Sequence, residues 1–471
     1  MNNYDLVINE GEVIDVESKT DDVINIGIER GVIKLLSHEK LKGSKEIDAS
    51  RLIVTPGFID LHTHEDSIKF SKLKDKDYPL PIETSKVLLR TGVTTMIGGN
   101  CGFSAYPIEP YLDKITKNKL SINYGTLVGY CSLREIIGID KYKNATKNQI
   151  EKLKNMVKKE MINRALGVSF GLEYSPGIST VEVIEISKIV KKFGKFIAVH
   201  MRYDYPQRAL ETVQEIIEIA RETGVRVEIS HLAANVYGKD NGKNVLEEVL
   251  LLIHEALEEG LDIAADVYPY DTWGTSIKST VFDEGWIKKY NFKYNDVEIL
   301  TGSHNGERCN SELFDSLRAE HKDTIVACHN AIPIDDIRRA IQDPLITLIS
   351  DGQMTRDAIT GDLMGHPRSS GTPAKLLGDI IREKKWINLN EGISKLTLIP
   401  AKRLKLFNKG RLQEGKDADI TIFNLENIID ESKFGKNVCA SPPEGIEYVI
   451  INGNVAYEKK IIKRNDLGQC I

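Results

Sequence analysis

The chain has 471 residues, of which 41% are hydrophobic and 28% charged, an ordinary globular composition that leaves no room for wholesale disorder. Its 63 basic and 69 acidic residues give a net charge of −6, which supplies no electrostatic footing for nucleic acid or an anionic membrane. No apolar run approaches the roughly 20 residues that cross a bilayer, and the start Met1-Asn2-Asn3-Tyr4-Asp5-Leu6-Val7 lacks the basic and apolar regions of a secretory signal. Six sparse cysteines (Cys101, Cys131, Cys309, Cys328, Cys439 and Cys470) fit a reducing compartment better than a disulfide framework, so a cytoplasmic protein is expected.

In chain order, the first ~50 residues turn like small antiparallel strands. Tyr4–Asn9 runs into Glu10-Gly11, and Ile24–Ile28 into Glu29-Arg30-Gly31. The other end is similar: Ala418–Phe423, then Tyr448–Ile451 meeting Asn452-Gly453 before Val455-Ala456-Tyr457. Two β-rich ends around a long middle predict one small β-sandwich, residues 1–55 and 407–471, with residues 56–406 inserted between its halves.

The middle alternates short apolar runs with amphipathic helical stretches such as Ala209–Glu222 and Val245–Glu259. Strands are expected at Phe58–Leu61, Thr94–Gly98, Thr126–Gly129, Ala165–Phe170, Phe196–Val199, Val225–Ile229, Ile263–Val267 and Leu345–Ile349. Near-continuous apolar runs are what parallel strands covered on both faces look like. Eight β/α units over this length predict an α/β fold, a (β/α)8 barrel of the TIM type. A doubly wound open sheet is the rival, without a glycine-rich phosphate loop in the first unit to support it.

A barrel of this kind carries its chemistry at the C-terminal ends of its strands. The first run ends in His62-Thr63-His64, whose histidines share one face because side chains at i and i+2 of a strand do. Alone, the pair is equally a surface coincidence. The second run ends at Cys101, the fifth at His200, the sixth at His231 and the eighth at Asp351. His254 lies in a helical stretch, His38 and His321 in charged surroundings, and His304 in a Gly-Ser-His-Asn-Gly loop; these read as structural or solvated, while His329 is ambiguous. Cys101 could be a buried small hydrophobe, but Gly99-Asn100-Cys101-Gly102 makes a tight loop rather than a packed core.

A thiolate with imidazoles favours zinc over the all-oxygen shells of magnesium and calcium. Ligands drawn from distant strands, with coordination positions left open, are the pattern of a catalytic rather than a structural site. Bound water then ionises near neutrality and supplies a hydroxide nucleophile. Asp351 is placed to move its proton to a leaving amine.

These segments, with Pro56–His64, Gly171–Gly177, His200-Met201-Arg202, Asp266–Tyr270, Ser350-Asp351-Gly352, His366-Pro367-Arg368-Ser369, Thr397–Ala401 and Gly410–Asp419, resemble the amidohydrolase superfamily, and within it the N-acyl-D-amino-acid deacylases (D-aminoacylases). Cysteine on the second strand separates that branch from hydantoinases and dihydroorotases, which use a carboxylated lysine on the fourth. The resemblance implies a tight zinc on Cys101, His200 and His231, and a weaker second metal near His62 and His64 with Cys101 bridging. It implies Asp351 as general acid/base, and Tyr268 and Arg368, with Tyr174 nearby, as holders of the substrate's α-carboxylate. Barrel-mouth packing is the plain alternative for both tyrosines, and a surface ion pair for Arg368.

Four features depart from that pattern. Ala233 stands where the family commonly has lysine, Asp271-Thr272-Trp273-Gly274 replaces a stretch with serine, Tyr130 replaces histidine in Leu127-Val128-Gly129-Tyr130, and the region between strands seven and eight is shorter than expected. All touch substrate recognition and none touches the metal set. The expectation is a zinc amidohydrolase cleaving a linear amide of a small molecule, an N-acyl-D-amino acid first, with a cyclic amide hydrolase and a non-catalytic barrel scaffold as alternatives.

Overall fold

The computed structural model describes residues 4–66, 78–202, 208–240, 243–320 and 324–471; His321 lies outside them. Parallel strands form the centre. They are β1 (Phe58–Asp60), β2 (Val93–Gly98), β3 (Asn123–Thr126 continuing as Val128–Gly129), β4 (Gly167–Gly171), β5 (Phe196–His200), β6 (Arg226–Ile229), β7 (Ile263–Val267) and β8 (Ile346–Leu348). The strands fall where the apolar runs predict, with ends differing by at most three residues. Nearly every residue in them is buried, as parallel strands covered on both faces are.

The ladder is interrupted at Leu127. The first part of β3 pairs with β2, and the second part pairs with β4, from which the ladder runs on through β5, β6 and β7 to β8. Between β1 and β8 the described residues form no regular ladder. The two meet instead at a parallel bridge of Thr63 with Gly352, where the His64 amide donates to the Gly352 carbonyl at 2.8 Å. The register sets Gly171 opposite His200 and Val199 opposite Ile229, so the tips of β4, β5 and β6 emerge on one rim.

Intervening helices are specified locally. Thr146 and Gln149 form a capping box at the start of Lys147–Ile162, and Ser179 and Asn244 cap Thr180–Lys192 and Val245–Glu258. Gly224, at φ 61°, closes Ala209–Thr223 in a left-handed conformation that suits glycine.

Both chain ends contribute to one nine-stranded sheet. Its order runs from Ile461–Ile462 through Asn454–Glu458, Ile446–Ile451 and Ile420–Phe423 to Ile53–Pro56, then Tyr4–Asp15, Thr20–Glu29 and Val32–Ser37, with Gly43–Asp48 beside Tyr4–Asp15. Strands from both ends share an apolar core that includes Ile8, Ile26, Val54, Ile420 and Ile450. Asp419 ties the sheet to the parallel strands. Its carboxylate accepts from Asn123 Nδ2 at 2.9 Å and from the Asn452 amide at 2.7 Å, and its carbonyl accepts from the Gly57 amide at 2.8 Å.

Between β7 and β8, the stretch expected to be shortened folds into a cap over the strand tips. Its three-stranded antiparallel sheet sets Ile325–Cys328 between Trp273–Ser276 and Val297–Ile299. An aromatic cluster packs behind the sheet: Trp273 lies 6.0 Å from Phe282, and Trp286 lies 5.0 Å from Phe314, centroid to centroid.

Candidate active site

Each expected donor sits at or just beyond a strand tip, and three of them stand in an unusual backbone conformation. Cys101 (φ 53°), His231 (φ 34°) and Asp351 (φ 47°) all lie in the left-handed region, which costs a non-glycine residue on the order of 1 kcal/mol or more. Such strain persists where the surroundings over-determine the geometry. Around Cys101 they do so tightly: a Cβ on Gly102 would lie 2.5 Å from Cys131 Sγ and 2.7 Å from the Gly171 amide nitrogen.

Two donor clusters result, sharing His62. In the first, Cys101 Sγ lies 3.3 Å from His62 Nε2 and 3.5 Å from His231 Nε2. In the second, Asp351 Oδ1 lies 3.4 Å from His62 Nε2 and 2.9 Å from His64 Nε2. His200 stands beside them, its ring 4.5 Å from that of His231, but its Nε2 faces Glu173 Oε2 at 3.0 Å. The geometry therefore groups His62 with Cys101 and His231, and sets His200 one side chain away.

Buried groups behind the donors orient them. Asn235 Oδ1, an acceptor, lies 2.7 Å from His231 Nδ1, which fixes that nitrogen as the donor and leaves the Nε2 lone pair facing Cys101. Asp266 accepts from the His231 amide at 2.5 Å; its other oxygen is 3.5 Å from His62 Nδ1, too poorly aligned for a hydrogen bond. Asp60 accepts from the Ser350 and His62 amides, joining β1 to β8, and burial raises its pKa to about 7. Glu65 accepts from Tyr124 at 2.6 Å and from the Gly99 amide at 3.1 Å beneath the cluster.

Electrostatics sort the set by charge. Burial lowers His62 to about 3 and holds His231 well below its ordinary value, so both imidazoles are neutral, the ligating form. Burial also pushes the Cys101 thiol up; a bound cation reverses that and takes the thiolate. For Asp351, burial opposes ionisation, but the Arg368 guanidinium and the neighbouring histidines outweigh it and hold the carboxyl well below the usual range.

The expected substrate-binding residues ring the same space. Arg368 pairs through Nη2 with Asp351 Oδ2 at 2.8 Å and donates from Nε to the Asp351 carbonyl at 3.0 Å, while its buried Nη1 has no hydrogen-bond partner. Its guanidinium lies 4.5 Å from the Tyr268 ring centroid. The Tyr174 ring lies tilted against its neighbours, 4.4 Å from His200 and 5.8 Å from Phe103, centroid to centroid. Ala233 is buried.

Glu173, Asp266 and Asn235 escaped assignment as functional residues from sequence. Glu173 is the most connected, accepting from Tyr290 and from Lys289 Nζ at 3.3 Å as well as facing His200. Its position at the end of β4 and its place beside Tyr174 were the available signals.

Residues 53–456 match the model of the amidohydrolase family. The chain is 26% identical to a D-aminoacylase of Alcaligenes xylosoxydans xylosoxydans, covering 99% of this chain and 97% of that protein. It is also 26% identical to an N-acyl-D-glutamate deacylase of the same organism, covering 95% and 93%. Among solved structures, an N-acyl-D-glutamate deacylase from Bordetella bronchiseptica, complexed with zinc and a phosphonate inhibitor, superposes with a TM-score of 0.84 at 22% identity, covering 100% of this chain and 99% of that one. That likeness makes the fold a TIM-barrel type with an additional domain.

Proposed function

Since the chain belongs to the amidohydrolase family, we propose that it hydrolyses the linear amide of an N-acyl-D-amino acid to a carboxylate and a D-amino acid, using zinc. The observation that carries this reading is the convergence of Cys101 on His62 and His231, with Asp351 alongside. A soft thiolate with neutral imidazoles suits zinc. His62, Cys101 and His231 would hold one ion; His64 and Asp351 would contribute to a weaker second one, and His200 would join the set by turning from Glu173. Zinc would supply Lewis acidity, activating water and polarising the amide carbonyl.

The chain's own residues handle the proton and the substrate. Asp351, kept ionised beside Arg368, accepts the proton of the attacking water and delivers it to the departing nitrogen. Arg368 presents Nη1 to the substrate's carboxylate, a contact suited to a planar guanidinium, with Tyr268 against its face. Tyr174 walls the opposite side.

A cyclic amide hydrolase is the alternative. It would be expected to carry lysine on β4, whose sequence Gly167-Val168-Ser169-Phe170-Gly171 has none. A non-catalytic scaffold would have shed donors that are all present here. The finer architecture belongs to the same proposal: the strands close into an eight-stranded ring across the Thr63–Gly352 bridge, residues 56–406 forming the barrel and residues 1–55 and 407–471 a sandwich beside it. A cytoplasmic setting is in keeping with six unpaired cysteines.

Zinc-loaded protein should be assayed against matched N-acyl-D- and N-acyl-L-amino acids together with hydantoin and dihydroorotate. The reading predicts turnover of the D-acyl compounds at least ~100-fold above the rest, about 3 kcal/mol of discrimination. Faster opening of either ring would overturn it.

A further inference from the structure

The cavities touching the donor clusters are small. One of about 40 Å³ lies beside His200, His231 and Tyr268, and another of about 50 Å³ between His64, Asp351 and Arg368. Both fall far below the roughly 300 Å³ of a pocket that encloses an organic ligand. A third cavity, of about 360 Å³, opens directly beside them. Phe103 and Tyr174 line both this space and the one next to Asp351, so their rings partition the reacting centre from the larger room.

Its inner wall is largely apolar, formed by Phe103, Cys131, Ile139 and Tyr174, with the buried Arg134 paired to Glu182 and with Ser279 and Thr280 of the cap closing one side. At the mouth, the exposed Glu135, Asp140 and Lys141 and the half-buried Lys278 are of mixed sign, two acidic and two basic, so the entrance favours neither anions nor cations. Hydrocarbon is the chemistry that such a chamber rewards.

Its place on the rim says which part of the substrate enters. The chamber's apolar wall is built after β2, β3 and β4 and closed by the cap, whereas Arg368 follows β8. In an N-acyl-amino acid, the carboxylate and the acyl tail lie on opposite sides of the scissile amide. With the carboxylate on Arg368, the tail extends across the donor clusters toward Phe103 and Tyr174.

We propose that this chamber is an acyl-chain pocket, and that the protein prefers medium-length acyl groups such as hexanoyl over acetyl. The inference rests on the amide-hydrolase reading. Each buried methylene favours the longer substrate by about fourfold, so four of them raise kcat/KM on the order of a hundredfold.

The test measures kcat/KM of the zinc-loaded full-length protein on N-acetyl-, N-butanoyl-, N-hexanoyl- and N-octanoyl derivatives of one D-amino acid. Alongside it, calorimetry compares hexanoate with acetate binding in the wild type and in Ile139→Trp, which plugs the chamber, with Ile139→Phe as the gentler plug should the first not fold. The expected result is a roughly hundredfold rise from acetyl to hexanoyl that the plug reduces at least tenfold, together with hexanoate binding that the plug weakens. A profile that is flat or falls with chain length while acetyl substrates turn over would overturn the proposal. If no acyl-amino acid is cleaved, the reaction assignment fails and hexanoate alone decides the chamber: binding sensitive to residue 139 supports it, and absent or insensitive binding overturns it.

Discussion

Glu173 Oε2 lies 3.0 Å from Nε2 of His200, and the same buried carboxylate accepts from Tyr290 and Lys289 on the cap helix Trp286–Tyr290. One side chain thus joins a donor at the tip of β5 to the element that covers the site. Hydrogen bonds to charged groups contribute about 1.5–3 kcal/mol each, so the tie is strong enough to set the cap's local stability.

Glu173→Gln keeps the shape and removes the charge. Amide exchange across residues 286–290 should accelerate roughly tenfold or more, read by hydrogen–deuterium exchange, with the core strands unaffected. Unchanged exchange there would mean the cap is held by its aromatic cluster alone.

Asp351→Asn should retain zinc in the cluster of His62, Cys101 and His231 while kcat falls by about 10²–10⁴, the usual range for losing a positioned acid/base. Metal content and turnover must be measured on the same sample. Near-normal turnover with zinc in place would remove Asp351 from the proton path.

Lys395 provides a pH test away from the site. Burial lowers its pKa to about 8, against the pull of Asp343 and Glu391, while Nζ donates to the carbonyls of Asp343 and Ile346. Below about pH 8 the amine is charged in both folded and unfolded chains, and its burial cost is fully present. Between pH 8 and the ordinary lysine value the unfolded chain binds more protons, so folding stability rises with pH by up to about 3 kcal/mol from this group. The stability of wild type minus that of Lys395→Met, from denaturant melts, should climb across pH 8–10; a pH-independent difference would refute it.

How much was legible in the sequence follows from which signals are local. His62, His64, Cys101, His200, His231 and Asp351 announce themselves because each ends an apolar run, and the parallel fold gathers such ends on one rim. Grouping was not legible: the structure sets His62, rather than His200, with Cys101 and His231, while His200 faces Glu173, a contact 27 residues away in sequence. Asn235 and Asp266 act by hydrogen bonds to His231; Asn235 carries no motif, and Asp266 was visible only as part of the Asp266–Tyr270 segment. The break at Leu127 and the left-handed backbone at Cys101, His231 and Asp351 come from tertiary crowding, which periodicity does not encode. Between Tyr270 and β8 the cap was not legible, because its strands are three to four residues long and pair antiparallel across about 30 and about 50 positions.

X-ray absorption at the zinc edge tests the central claim most directly, because it reports the metal's own neighbours. The site built from Cys101, His62 and His231 predicts one sulfur at about 2.3 Å beside nitrogens at about 2.0–2.1 Å, with the sulfur lost in Cys101→Ser. A stoichiometric zinc in the wild type surrounded only by nitrogen and oxygen would contradict it.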